Sequence, residues 1–202
     1  MDWSAATKHL AKVDPKLAGL IERHGLPTMK PTRDPVQSLA RAIVGQQLSG
    51  KAADTIWGRV LDLYGGKFPT ATAILATSDE RLRAAGLSGA KTAAVKDLAR
   101  HVVEKKVVPK KLVTATDEVV TATLLPVRGI GPWSVDMFLM FALARPDVLP
   151  VGDLGVKKGM QLHFRLRKLP EAERMTKLAE PWRPFRSVAS WYMWRVLESG
   201  AS

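Results

Sequence analysis

A short turn, Gly129-Ile130-Gly131, lies between two apolar segments of helical character and is followed directly by Pro132. Both glycines permit a positive φ and leave the backbone amides accessible to a ligand. A proline at the first helical position needs no N–H donor, so a helix is predicted from Pro132 to about Ala144. Upstream, Thr116 is a predicted N-cap for a helix that ends near Leu125. The sequence therefore predicts a helix, a glycine-rich hairpin and a second helix.

Helix signals recur along the whole chain of 202 residues. Several segments with apolar residues at helical spacing are preceded by an Asp or a Ser residue. Two of these Asp residues are followed directly by a proline. These predicted N-caps are Asp14, Asp34, Ser49, Ser78 and Ser88, and Gly25 is a predicted helix end. No segment alternates polar and apolar residues as a half-buried strand does. We expect about ten helices joined by short loops, in an all-α fold.

The composition excludes several kinds of site and favours one kind of partner. The chain has no cysteine, so disulfides, thiolate metal sites and iron–sulfur clusters are excluded. Its 31 Lys and Arg residues against 19 Asp and Glu residues give a formal net charge of +12. That excess favours a polyanion such as nucleic acid as the partner.

Neither a signal peptide nor an apolar span of membrane length is recognisable in the sequence. We expect a soluble intracellular protein with no membrane partner. It is expected in the cytoplasm, associated with the nucleoid if the source is bacterial, or in the nucleus if the source is eukaryotic.

Backbone amides at a glycine turn beside a helix N-terminus attract phosphate. On a basic protein, that phosphate is expected to belong to nucleic acid. The same Gly-Ile-Gly residues also suit an ordinary turn between packed helices, so the turn alone does not decide between the two interpretations.

Three motifs in one order resemble those of the helix-hairpin-helix DNA glycosylases, most closely the 3-methyladenine DNA glycosylase II (alkylbase) branch. They are IVGQQLS at residues 43–49, GLSGAK at residues 86–91 and LPVRGIGPWS at residues 125–134, followed by Asp153 in LPVGD. The resemblance implies two helical lobes with the active site in the cleft between them. The central lobe, with the helix-hairpin-helix, is expected at residues 34–147, and the second lobe at residues 1–33 and 148–202.

Asp153 is the residue to which the resemblance assigns catalysis. It precedes a helix predicted from Leu154, so its carboxylate is expected to accept hydrogen bonds from helix N-terminal amides. As structure alone, this makes Asp153 an N-cap. The two roles are compatible, because cleavage of an N-glycosidic bond develops positive charge on the sugar, which a fixed carboxylate stabilises. Two other acids, Asp136 and Asp147, also lie near the hairpin in the sequence.

The resemblance implies a monofunctional glycosylase of base excision repair. Such an enzyme flips an alkylated base such as 3-methyladenine out of duplex DNA and releases it by hydrolysis. Lyases of the superfamily carry a lysine two residues after the second hairpin glycine, where this chain has Trp133. A bifunctional glycosylase-lyase for oxidised bases is therefore disfavoured. A non-catalytic helix-hairpin-helix DNA-binding protein stays an alternative, distinguished by whether Asp153 lies in a cleft open to DNA.

The resemblance also implies roles in DNA binding. The helix is expected to end at Gln46 or Gln47, and the resemblance implies that the corner there enters the minor groove and fills the gap left by the flipped nucleotide, with Gln47 as the expected plug and Leu48 as the alternative. Contacts to the DNA backbone are assigned to Gly129, Gly131, Ser134 and Lys91. Lys91 lies in the first turn of a predicted helix, where the dipole disfavours a cation. A phosphate partner would explain its position, and a solvated lysine is the alternative.

Aromatic residues are expected to line the base pocket. Electron-rich rings stack on a flipped base and favour a cationic one by about 0.5–2 kcal/mol. Trp133 and Trp182 are the predicted pocket residues, with Met137 reaching the base. Trp191 and Trp194, near the C-terminus, are expected in the core.

No cofactor is expected to be required. By resemblance, the backbone carbonyls of Leu125, Val127 and Ile130 hold a monovalent cation, Na⁺ or K⁺, at the hairpin. Four histidines and no cysteine indicate no transition-metal site. The expected partner is double-stranded DNA that contains alkylated bases, and the chain is expected to be a monomer.

Overall fold

The computed structural model describes residues 2–199, which form thirteen α-helices, one π-helical turn and one 3₁₀ turn, with no strand among them. The helices are α1 Ser4–Val13, α2 Pro15–His24, α3 Pro35–Gly45, α4 Gly50–Asp62, α5 Ala71–Ala76, α6 Asp79–Ala84, α7 Gly89–Val103, α8 Pro109–Thr114, α9 Asp117–Leu124, α10 Pro132–Met137, α11 Leu154–His163, α12 Ala172–Leu178 and α13 Arg186–Ser199. The expected all-α fold is confirmed. Within residues 2–199, no helix combines the length and the apolar character that crossing a bilayer requires.

Side-chain caps begin many of these helices, as the sequence predicts. Each cap accepts a hydrogen bond from an amide two or three residues further along the chain. The six predicted caps that do so are Asp14, Asp34, Ser49, Ser78, Ser88 and Thr116. Gly25 ends α2 with a φ of 65°, which a glycine adopts without strain.

The chain divides into two compact units. The central unit comprises Thr32–Phe138, and the chain-end unit comprises the described residues of Met1–Pro31 and Leu139–Ser202. The sequence prediction placed residues 139–147 in the central lobe, whereas they belong to the chain-end unit. The reason is a set of bonds to α13, in which the Arg186 guanidinium donates to the Asp147 carboxylate at 2.8 Å.

The helix after the hairpin is shorter than predicted. The α-helix ends at Met137, and a π-helical turn follows over Phe138–Ala142. The amide of Arg145 then donates to the Leu139 carbonyl at 2.9 Å, and Ala144 has a φ of 51°. A π-turn holds an extra residue, so the side chains after Met137 leave the register of the preceding helix.

Helices α11 and α13 pack unusually closely within the chain-end unit. A Cβ atom added at Gly159 would lie 2.1 Å from the carbonyl oxygen of Met193, and one added at Gly155 would lie 2.6 Å from Cδ1 of Trp194. Only glycine permits such an approach. The start of α11 is thereby held in a defined position against α13.

The longest helix of the central unit, α7, packs against α3, α5 and α6. It buries Val95, Leu98 and Ala99, and α3 contributes Leu39 and Ile43 to the core. Apolar residues at three- and four-residue spacing give α7 one buried face. Ala94 and Asp97 on the same helix contact the hairpin, as described below.

A buried polar network joins three parts of the chain-end unit. Asp14, the N-cap of α2, accepts hydrogen bonds from His163 Nε2 at 2.7 Å and from the Trp182 indole at 3.0 Å. Burial acts to raise the pKa of Asp14, but the hydrogen bond and charge of His163, with the Trp182 bond, lower it overall. The network therefore stabilises the ionised carboxylate.

We expect Asp14→Asn to lower the melting temperature near neutral pH. Hydrogen bonds to a charged group contribute about 1.5–3 kcal/mol each. Because the folded-state pKa of Asp14 is lowered, this stabilisation is present above the unfolded-state pKa of 3.8 and is lost as the pH falls through the folded value. The difference between wild type and variant should therefore shrink in acid, as measured by thermal unfolding from pH 7 to pH 3.

The matched control is Asp34→Asn, because Asp34 is also an N-cap before a proline at the first helical position. Its loss should change stability by less than about 1 kcal/mol, since asparagine caps nearly as well. An equal, pH-independent loss in both variants would contradict the role of the buried network.

Candidate active site

Asp153 is the N-cap of α11, as predicted. Its Oδ1 atom accepts a hydrogen bond from the Val156 amide at 2.8 Å and another from the Trp194 indole N–H at 2.9 Å. Two donors on one oxygen fix the orientation of the carboxyl group. Asp153 is nearly buried, with 9% of the residue exposed, because Trp194 and the first turn of α11 lie against it. The expectation of a carboxylate that is open to DNA is therefore not met within the chain-end unit.

Trp194 is the residue beside Asp153 that the sequence analysis missed. It was expected in the core, yet it is half-buried, and its indole N–H donates to the carboxylate while its ring lies 5.7 Å from that of Phe141. Phe141 is itself 42% exposed. Gly155 is the sequence feature related to this contact, because the absence of a side chain there makes room for the Trp194 indole.

The hairpin, residues 125–131, contains one glycine in a left-handed conformation. Gly129 has a φ of 79°, and a Cβ atom there would lie 3.0 Å from Cβ of Ala94 on α7. Gly131 differs from the expectation, because its φ is −105°, which any residue adopts, and a Cβ atom there would meet nothing within 4 Å. Within residues 2–199, neither the Gly129 amide nor the Gly131 amide has a hydrogen-bond acceptor.

Side chains from other elements of the central unit hold the hairpin backbone. The Arg128 amide donates to Oδ2 of Asp97 at 2.9 Å, and Asp97 lies one turn beyond Ala94 on α7. The Gly129 carbonyl accepts from Nε2 of Gln46 at 2.7 Å. The amide and the carbonyl of consecutive hairpin residues are thus held from two sides, so the hairpin backbone is fixed before any ligand binds.

The corner, residues 46–49, joins α3 to α4. Gln47 has a φ of 57°, which costs a residue with a side chain about 1–2 kcal/mol. Both Gln47 and Leu48 are exposed. A strained, exposed glutamine is consistent with a functional position, and its assignment as the plug stays a prediction.

Lys91 does not present its charge as the sequence analysis expected. Its ammonium group donates to the Val44 carbonyl, near the end of α3, at 2.8 Å. Burial lowers the pKa of this lysine. A carbonyl of α3 therefore accounts for the cation at the start of α7, and a contact of Lys91 with a strand phosphate stays a prediction.

The other two acids near the hairpin differ from Asp153. Asp147 accepts hydrogen bonds from the guanidinium groups of Arg183, at 2.7 Å, and Arg186, so its role is structural. Asp136, on α10, is half-buried, and burial raises its pKa to about 6. Neither acid has the two neutral donors that orient Asp153.

The predicted pocket aromatics separate into exposed and buried residues. Trp133 is 46% exposed, and Met137 is half-buried. Trp182 is 1% exposed, donates to Asp14 and stacks on Phe164 at 5.6 Å, so it presents no face to a base. The assignment of Trp182 to the pocket is wrong, since this residue belongs to the core. Trp191 is buried, as expected.

The proposed cation ligands are the backbone carbonyls of three hairpin residues, Leu125, Val127 and Ile130. The Val127 carbonyl already accepts the Ile130 amide at 3.1 Å and has a second lone pair left for another partner. Uncharged carbonyl oxygens suit a hard monovalent cation, so the donor set fits Na⁺ or K⁺. In residues 2–199, no group of three or more His, Cys, Asp or Glu side chains is placed to bind a metal ion.

A family model matches most of this chain. The model of the HhH-GPD superfamily, base excision DNA repair proteins, matches residues 40–184, which include the corner, the hairpin and Asp153. The chain belongs to the HhH-GPD superfamily.

Similar superfamily members cover nearly the whole chain. DNA-3-methyladenine glycosylase 1 of Schizosaccharomyces pombe is 33% identical over 93% of this chain and 85% of its own. A structure of the S. pombe 3-methyladenine DNA glycosylase in complex with abasic DNA aligns with a TM-score of 0.84 at 32% identity, covering 95% of this chain and 96% of that one. A crystal structure of the Bacillus halodurans DNA-3-methyladenine glycosidase aligns with a TM-score of 0.86 at 34% identity, covering 98% and 91%.

The two glycines of this HhH-GPD hairpin should differ sharply when each is replaced by alanine. Gly129→Ala is expected to lower the free energy of unfolding by at least about 1–2 kcal/mol, because alanine resists a positive φ and its Cβ would press on Ala94. Gly131→Ala should change it by less than about 1 kcal/mol. Urea unfolding of both variants measures the difference, and equal losses would contradict this account of the hairpin.

Proposed function

We propose that this protein is a monofunctional DNA glycosylase of base excision repair, which flips alkylated bases such as 3-methyladenine out of duplex DNA and releases them by hydrolysis. Membership of the superfamily supports the reaction class. The observation that carries the proposal is the Asp153 carboxylate, oriented by the Val156 amide and the Trp194 indole.

Asp153 supplies the charge that the reaction needs. As the N-glycosidic bond breaks, positive charge develops on the deoxyribose, and a preoriented carboxylate stabilises it without reorganising. The limited exposure of Asp153 strengthens this effect, because fewer water molecules screen the charge. An alkylated purine such as 3-methyladenine already carries positive charge and leaves without a strong general acid. One carboxylate is therefore sufficient.

The hairpin and the corner bind the DNA. Phosphate accepts hydrogen bonds from backbone amides, and those of Gly129 and Gly131 have no acceptor within residues 2–199. Ser134, in the first turn of α10, adds a hydroxyl, and the net charge of +12 attracts the duplex from a distance. The corner fills the gap in the stack with Gln47 or Leu48.

Trp133 determines both the reaction type and part of the base pocket. At the position where lyases of the superfamily carry their nucleophilic lysine, this chain has an indole, so no Schiff base forms and the strand is left intact. With 46% of its surface exposed, Trp133 can stack on a flipped cationic base, and Met137 lies one helical turn further along α10.

No cofactor takes part in the proposed reaction. A Na⁺ or K⁺ ion held by the carbonyls of Leu125, Val127 and Ile130 would add positive charge beside a bound phosphate. The protein acts as a monomer on double-stranded DNA, since its assigned residues include none that needs a second copy.

We expect the protein to release the modified base from at least one duplex of a panel that contains 3-methyladenine, 7-methylguanine, 1-methyladenine or ethenoadenine. The strand should stay uncut until alkali is added, and borohydride should trap no covalent adduct, because the amine required for a Schiff base is replaced by Trp133. A duplex with 8-oxoguanine, whose base is neutral, is the control and should be left intact.

Other outcomes of the same assay identify the alternatives. A trapped adduct together with release of 8-oxoguanine would make the protein a bifunctional glycosylase-lyase. Tight binding of every duplex without release of any base would make it a non-catalytic DNA-binding module.

A further inference from the structure

We propose that Gln46 is a positioning residue. It holds the corner, which carries the plug, in a fixed position relative to the hairpin, which binds the DNA strand. Its side-chain amide donates to the Gly129 carbonyl at 2.7 Å and lies 3.5 Å from the Ser134 hydroxyl. The inference deepens the proposed function and rests on it, because it assigns to Gln46 the alignment of two DNA-binding elements.

The backbone of the corner restrains it only weakly. One of its hydrogen bonds is long, at 3.4 Å from the Gln46 amide to the Ile43 carbonyl, and the other is at the upper end of the usual range, at 3.2 Å from the Leu48 amide to the Gly45 carbonyl. Gln47 has a left-handed conformation that relaxes unless its surroundings hold it. Contacts from outside the corner must therefore supply the restraint.

Two side-chain bonds to carbonyl oxygens supply it. On one side, the Lys91 ammonium holds the Val44 carbonyl just before the corner. On the other side, Gln46 itself holds the Gly129 carbonyl. Gln46 is half-buried, whereas Gln47 next to it is exposed, so the two glutamines have different tasks.

The hairpin does not depend on Gln46 in the same way. The Arg128 amide donates to Asp97, and Gly129 packs closely against Ala94, so two residues of α7 hold the hairpin. Loss of the Gln46 amide is therefore expected to free the corner while leaving the hairpin in place. Because the hairpin stays in place, the bond from Gln46 to the hairpin sets the position of the plug.

Gln46→Met tests this directly, because methionine keeps the length of the side chain and removes the donor. In the free protein, amide hydrogen exchange at Leu48 should accelerate by about fivefold, the factor that corresponds to one hydrogen bond. The matched control is Gln37→Met on α3, the helix that ends just before Gln46. The Gln37 side chain makes no hydrogen bond within residues 2–199, so its replacement should leave Leu48 exchange unchanged. Unchanged exchange in Gln46→Met would overturn the proposal.

A second experiment tests whether Gln46 acts through the plug. The measured quantity is the affinity for a duplex with a tetrahydrofuran abasic-site analogue divided by the affinity for the undamaged duplex. It is measured with Gln46 and with Gln46→Met, each in a protein that keeps the plug residues and in one that carries both Gln47→Ala and Leu48→Ala. Gln46→Met should lower this ratio about fivefold when the plug is present and less than about twofold when it is absent. An equal loss in both backgrounds would mean a general structural role and would refute the inference.

Failure of the proposed function gives a different result. Wild-type protein that releases no base and does not prefer the abasic analogue would refute the glycosylase assignment, whereas Leu48 exchange in the free protein would still show whether Gln46 restrains the corner. Wild-type activity combined with wild-type behaviour of Gln46→Met would refute the positioning role alone.

Discussion

The close approach of α11 to α13 is the constraint on which the candidate catalytic residue depends. Gly159 brings the two backbones together, and Gly155 leaves room for the indole of Trp194 directly over the first turn of α11. The indole N–H then reaches Asp153. The same packing fixes the start of α11, its N-cap Asp153 and the hydrogen-bond donor Trp194. The carboxylate is therefore held in one orientation without any bound ligand.

Helix α7 has the corresponding role in the central unit. Lys91, Ala94 and Asp97 follow one another at successive turns and so lie on one face of the helix. The first holds the end of α3, the second supports Gly129, and the third binds the Arg128 amide. A single rigid helix thereby sets the positions of both elements that are proposed to bind DNA.

Local features of the structure could be predicted from the sequence, whereas contacts between distant residues could not. Helix caps such as Ser88 and Asp153 depend on amides two or three residues away, so the local pattern determines them. Trp182 and Trp194 have the same side chain, but one is buried in a polar network and the other reaches Asp153. The two tryptophans differ in the partner that tertiary packing gives them, and no local sequence pattern specifies that partner. The same holds for Lys91, whose partner is the Val44 carbonyl.

Single-turnover base release in Asp153→Asn shows whether the Asp153 carboxylate stabilises positive charge on the sugar. Asparagine can accept the same hydrogen bonds, so the variant should fold and should still bind a duplex with an abasic-site analogue. Its rate of base release from a duplex that wild type cleaves should fall by about 10²–10³-fold, while Asp136→Asn keeps the wild-type rate. A wild-type rate in Asp153→Asn would contradict the account.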